Sequence, residues 1–234
     1  MVKKCFAAVR KDIVDHILND IKYGLYDVAE PHYDDKALTL FLLLRFYAGC
    51  SFQFYTNELM LCELMNLSTR TENKTSIMSN ILKMQEDDLL TITQHPNKKF
   101  FHIILDYESF MPENDFVTIY KEEFDALFLD KSRDKLLLVL YCIKKFQHKR
   151  SGISFPSVET IMDSSNISKP TVCKSIDKLA QVLDIYKAKI NFNDGTNKEV
   201  NYYRSLSDGK MSEDQVANIA KKYYPNIKSI TRRK

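Results

Sequence analysis

Glycine is scarce in this chain. Its 234 residues include five, Gly24, Gly49, Gly152, Gly195 and Gly209, none close to another. A P-loop or a dinucleotide fingerprint needs clustered glycines, because the backbone must approach a phosphate closely. Nucleotide binding by either route is therefore disfavoured. The five histidines (His16, His32, His95, His102, His148) show neither HxH nor HExxH spacing. A DNA-nicking enzyme needs such a metal-binding pair beside a catalytic tyrosine, so the 13 tyrosines signal no such activity. Glu86, Asp87 and Asp88 read as a solvated helix end rather than a metal site. No enzymatic activity, metal or cofactor is expected. The five cysteines are far apart and odd in number, which argues against a disulfide framework and for free buried thiols in a reducing compartment. The longest apolar run, Leu38 to Leu44, falls far short of the roughly 20 residues that span a bilayer. The N-terminal stretch MVKKCFAAVRKDIVDHIL carries charges throughout and does not read as a signal peptide. A cytoplasmic protein with no membrane partner is expected.

What the chain does contain is charge of opposite sign in its two halves. Residues 1–115 hold 12 Lys+Arg against 17 Asp+Glu, a net of −5, and residues 116–234 hold 22 against 14, a net of +8. A polyanionic partner is expected on the C-terminal half. Apolar residues make up 44% of the chain, enough for real cores.

The chain also repeats itself. Phe6 to Ile17 (FAAVRKDIVDHI) matches Phe116 to Leu127 (FVTIYKEEFDAL) in pattern: a short apolar segment, a basic residue, an acidic amphipathic turn. Helical runs follow at Lys36 to Tyr47 and Lys135 to Phe146, apolar over a wide face as core helices are. Next come Phe54 to Glu58 and Phe155 to Glu159, in which Thr56 and Ser157 are expected to cap short helices. These end near Leu67-Ser68 and Ile167-Ser168. A further helix follows in each half, with Ile77, Ile81 and Met84, or Val172, Ile176, Leu179 and Leu183, on one face. Each runs into a hairpin pattern, Leu89 to Leu105 and Ile185 to Leu206, with turns at His95–Lys99 and Asn193–Asn197.

The run Phe155 to Ile161, Asn166 to Val172 and the hairpin after it resembles the winged helix-turn-helix of phage and plasmid replication proteins and of many bacterial regulators. The likeness covers about residues 135–206 well and about 36–105 less well. Two such units in tandem are similar to plasmid replication initiators. The resemblance implies an α+β, mostly helical fold with two winged helix-turn-helix units in tandem. It implies sequence-specific binding of double-stranded DNA at an origin, with replisome proteins as further partners. The expected divisions are 1–112 (acidic, with a role in homodimerisation), 113–207 (basic, the main DNA contact) and 208–234 (a C-terminal helix and basic tail). In the first unit about five extra residues, Thr69 to Asn73, precede the second helix of the motif. A transcriptional regulator of a mobile element and a winged-helix protein-interaction adaptor are the alternatives.

A helix that reads DNA must bury one face and present hydrogen-bond donors on the other. On the helix from Ser168 the sequence assigns Thr171, Lys174 and Ser175 to base edges, and Lys169 and Lys178 to phosphates, with Ser168 as the cap. The hairpin adds Lys187, Lys189, Asn197 and Lys198. In the first half the equivalents are Lys74, Ser76, Ser79, Asn80 and Lys83 on the helix, with His95, Asn97, Lys98 and Lys99 in the turn. Lys144, Lys145, Lys149 and Arg150 form a further basic cluster. The segment from Ser212, ending in Thr231 to Lys234, reads as a docked helix, a partner-binding element, a phosphate-contacting arm or a frayed basic end. For each lysine the alternative is a solvated surface.

Overall fold

The computed structural model describes residues 6–23, 31–94, 99–110, 115–191, 196–224 and 226–233. Of the turns expected at 95–99 and 193–197, residues 95–98 and 193–195 lie outside these residues, and with them His95, Asn97 and Lys98. About half of the chain is helical and the rest forms small sheets, so the fold is α+β but less helical than expected.

The chain opens with β1 (Phe6–Arg10) and α1 (Lys11–Tyr23). The helix α2 (Ala37–Ala48) is buried around nearly its whole circumference, as an apolar helix without a polar face must be. It stops at Gly49, whose φ of 56° suits a residue without a Cβ. Then follow β2 (Gln53–Thr56), α3 (Glu58–Leu64), α4 (Thr71–Glu86), β3 (Leu90–Gln94), β4 (Phe101–Leu105) and the single turn α5 (Tyr107–Phe110). The three strands form an antiparallel sheet in the order β2-β4-β3. The cap of α3 is Asn57, which accepts from the Met60 amide at 2.9 Å. Thr56, the expected cap, is instead buried at the end of β2. Of the extra residues, Thr71 to Asn73 form the first turn of α4, so the insertion lengthens the helix as well as the turn before it.

A second strand and helix, β5 (Phe116–Tyr120) and α6 (Lys121–Phe128), repeat the opening of the chain. β5 pairs antiparallel with β1, Phe6 opposite Tyr120 and Arg10 opposite Phe116, so the two copies of the repeated segment meet about a centre at Ala8 and Thr118. Two compact units, Met1–Leu137 and Leu138–Lys234, divide within α7 (Arg133–Lys145).

Beyond it come α8 (Val158–Ser165), α9 (Lys169–Leu179), β6 (Leu183–Asn191) and β7 (Asn197–Ser205). The Ser157 hydroxyl accepts from the Thr160 amide at 3.0 Å, the expected cap of α8, a bond whose loss typically costs about 1 kcal/mol. α8 ends at Asn166 in the left-handed conformation, which asparagine tolerates better than most residues, and Asn66 after α3 takes the same conformation. The C-terminal segment is part of this unit. Ser212 and Gln215 form a reciprocal capping box at α10 (Glu213–Tyr223), and β8 (Ile227–Arg232) adds to the sheet in the order β7-β6-β8. Tyr186, Ala188, Ile190, Val200 and Tyr202 on the sheet close a core with Met211, Val216 and Ala220.

Candidate nucleic-acid interface

The helix α9 is held from behind by aliphatic side chains. Val172, Ile176 and Leu179 are 1% exposed or less, and each such burial stabilises by roughly 1.5–3 kcal/mol. At about 100° per residue the opposite arc runs through Pro170, Lys174, Lys178 and Gln181, all exposed. Lys174 stands near the middle of that arc.

Ser175 was expected outward and is not. It is 4% exposed and lies one turn before Leu179, at the edge of the apolar arc. A small hydroxyl fits that packing, so it is polar in type but buried in place. Ser168 occupies the N-cap position, and its hydroxyl lies 3.0 Å from that of Thr171 rather than bonding a first-turn amide. Thr171 is half-buried. Lys169 meets Glu159 at 3.1 Å, an exposed pair that a phosphate can readily exchange.

The hairpin β6–β7 presents one outer face. Lys187, Lys189 and Asn191 alternate along β6, with Asn201, Glu199 and Asn197 opposite them in register. Glu199 sits 2.8 Å from Lys187 and 3.7 Å from Lys189, and hydrogen bonding from Lys187 holds its carboxyl below the usual range. Lys198 pairs with Ile190, so its register position belongs to the covered face, and only its place near the strand end leaves it exposed. Lys198 therefore does not share the face of Lys187 and Lys189.

The basic tail is structural. Arg232 reaches Asp184, which is 2% exposed, at 2.6 and 2.8 Å, and the other oxygen of Asp184 accepts from the Met211 amide at 2.7 Å. A buried carboxylate without such partners would be strongly destabilising. Arg233 pairs with Asp177 on α9 and donates its backbone N–H to Ile185. These residues lock β8 and α9 to the sheet, which replaces the frayed-end reading. Of the other basic cluster, Lys144 is 4% exposed and faces inward, while Lys149 and Arg150 are exposed.

The candidate residues of α4 are differently placed. Ser79 accepts from the His32 amide at 2.8 Å and donates to the His32 carbonyl at 3.1 Å. Asn80, fully buried, exchanges bonds of 2.8 and 3.0 Å with Asp34, and Ser76 donates to the same carboxylate. Burial by itself would raise the Asp34 pKa, but donors from Ser76 and Asn80 and the charge of Lys36 outweigh it and hold the carboxyl below its ordinary value. Lys83 pairs with Asp87 at 3.2 Å, and Asp87 also accepts from the Tyr33 hydroxyl at 2.8 Å. Residues 32–36 thus cover the polar face of α4. Ser79 and Lys83, expected to read DNA, are engaged inside the protein. Lys74 and Lys99 instead border a groove lined by Leu59, Met78, Leu82 and Phe101.

Residues 133–181 match the helix-turn-helix domain family. The match spans α7, α8 and α9, so α9 takes the place of the second helix, whose N-terminal residues meet base edges in that motif. A helix-turn-helix domain points to DNA binding. No curated protein matches the chain. Among the described residues no helix is long and apolar enough to cross a membrane.

Sequence reasoning missed Arg232, Arg233, Asp184 and the cover over α4. A strand at 227–232 was hard to see because the pairing with β6 shifts register between Lys189 and Ile190. Ile227 and Ile230 both meet core-facing partners although they are three residues apart, which hides the two-residue alternation.

Proposed function

We propose that this protein binds double-stranded DNA sequence-specifically through α9 and recognises repeated sites as a replication initiator of a plasmid or phage. The observation that carries the DNA reading is the exposed Lys174–Lys178 face within the segment that matches the helix-turn-helix family. Thr171 and Lys174 are the base-reading residues, while Lys169, Lys178, Lys187 and Lys189 meet phosphates, with Asn197 on the same outer face of the hairpin. The initiator role rests on the tandem order of elements. α2, α3, α4 and the β3–β4 hairpin precede a second run of α7, α8, α9 and the β6–β7 hairpin in the same sequence.

The first half is then a second winged helix adapted to protein contact. Its groove exposes Leu59 (47%) and Leu82 (40%) and carries both Glu58 and Lys74, a mixed charge pattern that suits contact with another copy of this chain.

Selection of bound fragments from a random duplex library tests the DNA reading, and binding to repeats beside the protein's own gene, with or without strand melting, separates initiator from regulator. Absence of salt-dependent duplex binding would favour the adaptor reading instead.

A further inference from the structure

The basic cluster at the end of α7 is not absorbed by the duplex-reading face. Two adjoining hollows share His148, Arg150 and Phe155 and so form one continuous groove between the end of α7 and the side of α10. Its rim carries Lys149, Arg150 and Lys222, all exposed and without an ion pair among the described residues. Among the described residues no carboxylate lines it.

Its apolar walls are Ile219 and three rings, Phe146, Phe155 and Tyr223. Phe155 is wedged between Tyr202 of the sheet, 5.6 Å centre to centre, and Tyr223 of α10 at 5.1 Å, and so is held in place. Tyr223 is 55% exposed and Phe146 43% exposed. Open ring surface beside exposed cations offers a nucleotide both a stacking face and a phosphate partner. Phosphates alone would require the cations and not the rings. A base pair inside a duplex hides its faces against its neighbours, whereas an unpaired strand can lay its bases on aromatic faces while its backbone follows the charge.

We infer that this groove binds single-stranded DNA, with Phe146 and Tyr223 stacking bases and Lys149, Arg150 and Lys222 holding phosphates. The site shares no residue with α9 or with the outer face of the β6–β7 hairpin, so its test is separable from that of duplex reading.

The test uses the full chain and two probes, a fluorescent oligothymidylate of about 12 nucleotides and a duplex of the selected site. Replacing both rings, Phe146→Ala with Tyr223→Ala, is expected to weaken oligothymidylate binding about ten-fold or more while duplex affinity stays within about two-fold. Phe146→Tyr with Tyr223→Phe should restore single-strand binding, since the ring faces remain. Phe146→Leu with Tyr223→Leu keeps the packing against Phe155 and should still lose single-strand binding, which covers the case in which the alanine variant does not fold. Lys174→Ala should show the opposite pattern, with affinity for the selected duplex lowered about ten-fold and oligothymidylate binding kept. Failure of the wild-type protein to bind oligothymidylate, or equal losses on both probes from the ring variants, would overturn the proposal and leave the duplex reading standing.

Discussion

α4 and α9 each follow a short helix and precede a pair of antiparallel strands, and their polar faces meet different fates. Ile77, Ile81 and Met84 of α4 correspond to Val172, Ile176 and Leu179 of α9, and all six are buried. On that alignment Ser79 corresponds to Lys174, and Lys83 to Lys178. In α9 the two lysines are exposed. In α4 Ser79 is bonded to the backbone of His32, and Lys83 is paired with Asp87. One helix leaves its lysines at the surface and the other spends its donors holding its own chain. The difference shows that a helix of the right pattern is available for recognition only if nothing within the protein satisfies it first.

The largest effect that would sharpen this contrast concerns base reading. Lys174→Ala with Thr171→Ala is expected to lower affinity for the selected duplex site about 100-fold, toward the non-specific level. Ser79→Ala with Lys83→Ala should leave it within about two-fold. Equal effects from the two double variants, measured by fluorescence anisotropy at fixed salt, would break the comparison.

Next in size is the cover over α4. Asp34→Ala takes an acceptor from the buried Asn80 amide and from the Ser76 hydroxyl, and should destabilise the protein by about 2 kcal/mol in chemical denaturation. The same carboxylate sets a pH dependence. Its folded pKa lies below its unfolded value near 3.8, so its stabilising contribution is present above that value and is lost as pH falls through the folded one. Thermal unfolding of the wild type should therefore weaken below about pH 4 more steeply than that of Asp34→Asn.

A further test concerns the groove of the first half. Leu82→Glu should weaken self-association about ten-fold in sedimentation equilibrium if that surface joins two copies, with no loss of folded structure because Leu82 is already exposed.

The smallest effects lie on the hairpin. Lys187→Ala with Lys189→Ala should flatten the dependence of log affinity on log salt by about 1 to 2 units without altering site preference. Glu199→Gln, which releases both lysines from their shared partner, should strengthen non-specific duplex binding a few-fold at low salt.

Much of the fold was legible because it rests on periodicity. The long helices, the cap at Ser157, both hairpins and the repeated strand-helix segment all follow from local patterns that need no partner to be read. The site was legible only in part. Lys174 and Lys178 are marked by their spacing from Val172 and Ile176, but Ser175 looks like a surface residue until its angular position is compared with Leu179, one turn on. The partners of Ser79 and Asn80 leave no local mark, because they lie more than forty residues upstream, whereas Asp87, the partner of Lys83, stands one turn further along the chain.

The sequence alone determined where helices begin and which faces are apolar, since caps and periodicity act over a few residues. Tertiary structure decided which polar faces remain open. Asp34 reaching Asn80, Asp87 reaching Tyr33, and Arg232 reaching Asp184 are contacts between residues distant in the chain. Their formation depends on how packed elements bring charges and donors together, and that geometry exists only once the chain has folded.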